Sequence, residues 1–167
     1  MRPFDRKFSQ NKLRYLLQCI LATVSAMMVL MVLNSIDNDV ILASLGASCF
    51  IAFCMPHHRA SRPRFLIGGY IVGIAAGTLC YWLAQIAFPD SQSTVNIFAK
   101  VIFGGLAIGL AMFLMVITNT EHPPAASLAL GFVLGPWQLL TIVVAIVEII
   151  LLCILKRLLK PVLINLL

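Results

Sequence analysis

Charged side chains are scarce in this sequence: they are 11% of its 167 residues, against 61% in the hydrophobic set. A soluble domain carries about 25% charge and 45–50% apolar residues, and a globule of this size could not hide so much apolar surface from water. The composition writes an all-α integral membrane protein, with the lipid bilayer as its first partner. A helical crossing takes about 20 apolar residues, so with short connections the length allows roughly six. No stretch is left over for a soluble catalytic or DNA-binding domain. The five cysteines, Cys19, Cys49, Cys54, Cys80 and Cys153, form no CxxC pair and have no histidine at ligand spacing. They read as small hydrophobes in apolar runs, which leaves no metal site and no cofactor. Acidic residues are few, 6 against 12 Lys and Arg. In a membrane chain that surplus is first a topology signal, and no nucleic-acid partner follows from it.

Long apolar runs at 13–33, 65–88, 97–118 and 138–155 predict four full spans. The first is too long for a signal-peptide core and lacks a small-residue cleavage site, so it is expected to remain as a membrane helix. Two shorter runs follow polar breaks, Val40 to Met55 after Asp37-Asn38-Asp39, and Ala125 to Leu134 after Glu121-His122-Pro123-Pro124. Basic residues cluster at Arg2, Arg6, Lys7, Lys12 and Arg14, at Arg59, Arg62 and Arg64, and at Lys156, Arg157 and Lys160. The segments 34–40 and 89–96 carry Asp37, Asp39 and Asp90 and no basic residue. By the positive-inside rule both termini and the middle loop are cytoplasmic, in a bacterial inner membrane, which requires both short segments to cross. Lys100 lies within a span and is expected to snorkel outward.

The six segments divide into two halves, 13–88 and 97–155, each a long helix, a short interrupted one and another long one. Three crossings per half make this a possible 3+3 inverted repeat, with the short segments as the pointer to a transport site. Gly69, Gly73 and Gly77, Gly105 and Gly109, and Gly131 and Gly135 recur at four-residue spacing. Such faces let helices approach closely, within the chain or in a homo-oligomer. Tyr15, Tyr81, Trp82 and Trp137 read as interfacial anchors.

Chemistry concentrates in the second break. Paired prolines belong in the first turn of a helix, so Pro123 and Pro124 start one at or inside the membrane. A helix N-terminus with free N–H groups suits a small anion, and His122 adds a donor. Ser127 follows on the same segment. The first short segment offers Ser44, Gly46 and Ser48, which suit either a narrow conduit or tight packing. Glu148 lies mid-span, where a carboxylate must pair, face a cavity or hold a proton. Glu148 and Glu121 are the candidate proton relay, although Glu121 serves equally as a helix cap.

These stretches resemble the HPP family of small integral membrane proteins through His122-Pro123-Pro124, through Gly46-Ala47-Ser48 and the apolar run to Pro56, and through Arg62-Pro63-Arg64 leading into Gly68-Gly69. The resemblance covers approximately residues 40–135. One departure is Tyr70, where the family pattern leads one to expect histidine, so no proton or ligand role is carried to that position. The resemblance implies four membrane helices as the family is usually described. It also implies a small monovalent anion as substrate, nitrite foremost, since relatives in plastids and cyanobacteria are associated with nitrite transport. The expected function is thus an anion transporter or channel holding its substrate with His122, Pro123, Pro124, Ser127, Ser44, Gly46 and Ser48. A non-transporting assembly or sensory subunit is the alternative. An intramembrane enzyme using His122, Glu121 and Glu148 fits less well, because no nucleophile pairs with a base.

Overall fold

The computed structural model describes residues 12–32, 39–88 and 95–166. Arg2, Arg6, Lys7, Asp37, Asn38 and Asp90, which carry part of the topology reading, lie outside the described residues. Within them the chain forms α1 (Lys12–Val32), α2 (Asp39–Cys54), a 3-10 turn (Arg59–Ser61), α3 (Pro63–Ala87), α4 (Val95–Thr118), α5 (Pro123–Leu134) and α6 (Leu139–Leu159). Four helices are long and apolar enough to cross a bilayer: Lys12–Met31, Pro63–Ala87, Ile97–Thr118 and Leu139–Leu159. The helices Val40–Cys54 and Pro123–Leu134 are shorter. The described residues thus hold four helices of full spanning length and two short ones, as expected.

Local chemistry sets the breaks. Pro63 opens α3, and Pro123 with Pro124 opens α5, where a missing N–H costs nothing. Helix α4 ends at Asn119, whose φ of 54° is left-handed. The Asn119 N–H reaches back to the Val116 carbonyl at 3.2 Å and that of Thr120 to Met115 at 2.9 Å, a Schellman closure built on Asn rather than Gly. Arg59 of the 3-10 turn donates to the Asn119 side chain, tying this corner to the preceding loop.

Hydrogen bonds gather alternate helix ends at one pole. Gln18 of α1 donates to the carbonyls of Phe53 and Ile164, and Lys156 of α6 donates to Ser61. The tail after α6 folds back, with the Leu166 N–H on the Cys54 carbonyl at 3.0 Å and Tyr15 Oη donating to the Leu166 carbonyl at 3.0 Å. Tyr15 is therefore a clasp as well as an interfacial aromatic. Lys12, Arg14, Arg59, Arg62, Arg64, Lys156, Arg157 and Lys160 all fall at this basic pole. Lys100 sits near the other pole, beside Tyr81, Gln85 and Gly135. There Trp82 packs against Trp137 with ring centroids 5.5 Å apart, as a two-sided aromatic belt would place them.

The packing has a pattern. Helix α2 touches α1 and α6, α5 touches α4 and α3, α3 touches α4, and α6 touches α1. Across the middle, α2 meets α5 and α3 meets α6. Exchanging α1, α2 and α3 for α4, α5 and α6 leaves this set of neighbours unchanged. Each half gives its third helix to the other: α3 completes a group with α4 and α5, and α6 one with α1 and α2.

Glycine makes the first group tight. A methyl built on Gly69 would stand 2.5 Å from His122 Cβ, and one on Gly77 2.6 Å from the Ala129 carbonyl oxygen and 2.8 Å from Phe132 Cβ. A methyl on Gly73 would run into the Ala125 carbonyl. The Gly69, Gly73 and Gly77 face is thus filled by α5, whereas Gly105 and Gly109 have nothing within 4 Å. The latter two lie on the outer face of α4 with Val101, Ile102, Leu106, Met112 and Phe113, exposed as a lipid-facing surface should be. Cys19 is exposed on α1 in the same sense, while Cys49 and Cys80 are buried.

Candidate functional site

Between the two groups lies the polar content of an otherwise apolar interior. His122 caps α5, but its side chain makes no capping bond. It turns inward instead, and His122 Nε2 lies 2.9 Å from Ser48 Oγ on α2. Ser48 Oγ is 3.1 Å from Tyr70 Oη on α3, and Tyr70 Oη donates to Glu148 Oε1 on α6 at 3.1 Å. Ser44, one turn from Ser48, lies 3.4 Å from Tyr70 Oη and donates to the Ile41 carbonyl at 2.7 Å. His122, Ser48, Tyr70 and Glu148 are each 0% exposed and Ser44 1%. Four helices therefore deliver one continuous, sealed hydrogen-bonded chain, in which Glu148 is paired as an intramembrane carboxylate must be.

Its placement follows from the packing. Gly68 and Gly69 let the segment before α5 dock against α3, Gly68 receiving Thr120 and Gly69 receiving His122. Any side chain at Gly69 would displace the imidazole. Ser44 and Ser48 share a face of α2 because they are four residues apart. The Tyr70 ring lies 5.8 Å from the imidazole, centroid to centroid, and helps to fix it.

The structure brings together His122, Ser44, Ser48 and Glu148 of the expected residues. Pro124 is buried behind His122 in the first turn of α5. Gly46, Glu121, Pro123 and Ser127 are exposed and lie away from the chain. In place of Glu121, the partner of Glu148 is Tyr70. No role had been assigned to Tyr70, because a tyrosine stands where a histidine was expected. One signal was available: Tyr70 lies eight residues into a 25-residue helix, at membrane depth, where an anchoring aromatic has no water to reach. The anion-binding argument from backbone N–H groups also changes. Pro123 and Pro124 have none, and the N–H of Ala125 bonds to the His122 carbonyl at 2.9 Å. The first turn of α5 thus contributes its dipole but few donors, and His122 is the donor at that end.

Cavities lie at the two poles, and neither is lined by a residue of the sealed chain. At the basic pole a cavity of about 670 Å³ is lined by His57, Arg62, Lys156, Arg157 and Lys160 over a floor of Ile67, Ile150 and Ile154. At the other pole one of about 260 Å³ is lined by Tyr81, Gln85, Lys100 and the Gly135-Pro136 turn. Among the described residues no group of three His, Cys, Asp or Glu side chains converges.

Six apolar helices around a buried polar chain define a multi-pass membrane protein. The chain belongs to the HPP transmembrane family: the description "HPP, transmembrane region" matches residues 8–165. It is similar to a transmembrane protein of Dictyostelium discoideum, 29% identical over 100 residues. That match covers 60% of this chain and 32% of the relative, so the chain spans about a third of that protein's length. No solved structure matches.

Proposed function

We propose that this protein transports a small monovalent anion, with nitrite the favoured substrate, and that the anion pauses at His122. The observation that carries the reading is the sealed chain itself. Polar groups are expensive at membrane depth and are retained there where they handle a solute or a proton. Here they lie at the start of a short helix, the positive end of its dipole, with a cavity lined by several cations at the basic pole and one lined by the single cation Lys100 at the other. An anion reaching the chain from the basic pole would meet the imidazole of His122 and the hydroxyls of Ser48 and Ser44, whereas the far cavity is separated from His122 by the length of α5. With both ends closed, the arrangement is that of an occluded carrier, and rocking of one helix group against the other gives alternate access. The basic pole faces the cytoplasm in this reading, in a bacterial inner membrane.

The test is uptake of labelled nitrite into proteoliposomes. Protein-dependent uptake is expected, and His122→Ala should reduce it to the level of protein-free vesicles while the variant still purifies as a folded species. Absence of uptake by the unmodified protein removes the reading. One observation favours a second: the chain is sealed, as it would be in an assembly subunit whose polar interior serves only to align helices. That alternative expects no anion flux at any pH.

A further inference from the structure

Among the described residues, four buried side-chain atoms have no hydrogen-bond partner: Thr78 Oγ1, Trp137 Nε1, His122 Nδ1 and Glu148 Oε2. The last two are the opposite ends of one chain. The backbone carbonyl of Ala60 faces the imidazole and favours an N–H on that side, although Nδ1 has no partner within strict hydrogen-bond geometry. Everything between those ends is bonded.

The direction of each bond can be worked out. Ser44 has one proton and gives it to the Ile41 carbonyl, so toward Tyr70 it only accepts. With Glu148 ionised, Tyr70 gives its proton to Oε1 and its oxygen takes the proton of Ser48. The oxygen of Ser48 then takes the proton on His122 Nε2. With Glu148 protonated the same three contacts run in reverse, from the carboxyl through Tyr70 and Ser48 to a bare Nε2. Two complete polarities on one set of heavy atoms, with a free site at either end, are what a proton wire requires.

We propose that this chain carries one proton with each translocated anion. The inference rests on the transport reading above. A proton arriving at His122 Nδ1 releases the Nε2 proton to Ser48; Ser48 passes its own to Tyr70, and Tyr70 its own to the Glu148 carboxylate. One proton enters, the imidazole stays neutral in its other tautomer, and Glu148 becomes neutral. Loss of that proton from the Glu148 carboxyl on its unpartnered Oε2 side, rotation of the two hydroxyls and a second tautomeric exchange then reset the chain. The coupling follows from charge. An ionised Glu148 and an anion at His122 would put two negative charges into one sealed, low-dielectric interior, whereas a proton on Glu148 removes the conflict.

The surroundings offer few competing groups. Cys49 of α2 lies near Glu148; on α3 Tyr70 bonds to it, while Arg64 stands in the first turn and Cys80 and Tyr81 stand ten or more residues further along. On α6 itself Cys153 and Lys156 lie closer to the basic pole, where Lys156 is engaged by Ser61. Helix α5 brings only His122, at its cap, and α4 only Lys100, which lines the far cavity. Cys19 of α1 is exposed.

The experiment uses the full chain in proteoliposomes with a pH dye trapped inside and an inward nitrite gradient, read beside protein-free vesicles. Nitrite uptake should acidify the lumen by one proton per anion. Tyr70→Phe keeps the ring and removes the wire, so uptake and acidification should fall together; Ser48→Ala should do the same and Ser48→Thr should restore both. Glu148→Gln is permanently neutral, so nitrite should enter without protons and respond to membrane potential. The Tyr70→Phe/Glu148→Gln double variant should regain that uncoupled uptake, which a merely structural Tyr70 would not allow. Uptake without acidification in the unmodified protein, or undiminished coupling in Tyr70→Phe and Ser48→Ala, overturns the wire and leaves transport standing. No uptake at all overturns both.

Discussion

Glu148 shows how much one buried side chain can organise. Its Oε1 receives the only proton Tyr70 has to give, in a place where neither group meets solvent. Replacing it with alanine removes that acceptor, leaves a void beside Tyr70 and forces the hydroxyl to turn to Ser48 or Ser44 in competition with their existing bonds. An unsatisfied buried donor costs about 1–3 kcal/mol, so the thermal midpoint of purified Glu148→Ala should fall, and fall further than that of Glu148→Gln. Gly46→Ala is the contrast: nothing stands within 4 Å of that position, and the change should raise stability by up to about 1 kcal/mol through helix propensity alone. The same pair explains what could be read from the chain at this scale. His122 and Glu148 announced themselves, one by its prolines and one by its charge inside an apolar run. Gly46 belonged to the right segment but to the wrong face, which the four-residue spacing of Ser44 and Ser48 already implied. Tyr70 meets Glu148 across 78 residues of sequence. No local pattern carries that pairing, because it depends on which helix the third element of each half packs against.

At the scale of elements, the glycines divide by surroundings rather than by spacing. Gly73 and Gly105 both belong to four-residue repeats, yet one faces the Ala125 carbonyl and the other faces open space. Gly73→Ala should destabilise by about 1–3 kcal/mol, the usual cost of overpacking, while Gly105→Ala, like Gly46→Ala, should be stabilising by up to about 1 kcal/mol through helix propensity. Thermal unfolding of the two variants in the same detergent checks this. If Gly105→Ala instead shifts the oligomeric state in light scattering, the α4 face is occupied by a second copy. Helix lengths were legible because hydropathy and proline fix them. Which glycine face is buried was not, since small-residue repeats look alike whether they meet a helix or lipid. The short α5, about 18 Å at 1.5 Å per residue, starts at depth because Gly68 and Gly69 let its approach segment sink against α3.

At the scale of the whole molecule, the gathering of basic residues at one pole makes orientation testable. A cysteine in place of Arg59 should react with a membrane-impermeant maleimide in inside-out vesicles and not in intact cells, while one in place of Gln85 should do the reverse. The alternation of helix ends could be anticipated from charge alone, but the exchange of third helices could not. That exchange has a mechanical result. Glycine packs α3 tightly on α5, and a seam runs between the group of α3, α4 and α5 and the group of α1, α2 and α6. His122 to Ser48, Ser48 to Tyr70, Ser44 to Tyr70 and Tyr70 to Glu148 each cross it, and none runs within a group. The polar chain therefore works like the teeth of a zip: parting the seam breaks every link in one motion. In the proposed carrier, a proton in passage and an open gate would be mutually exclusive states of the same hydrogen bonds, so geometry would prevent leakage without a separate plug.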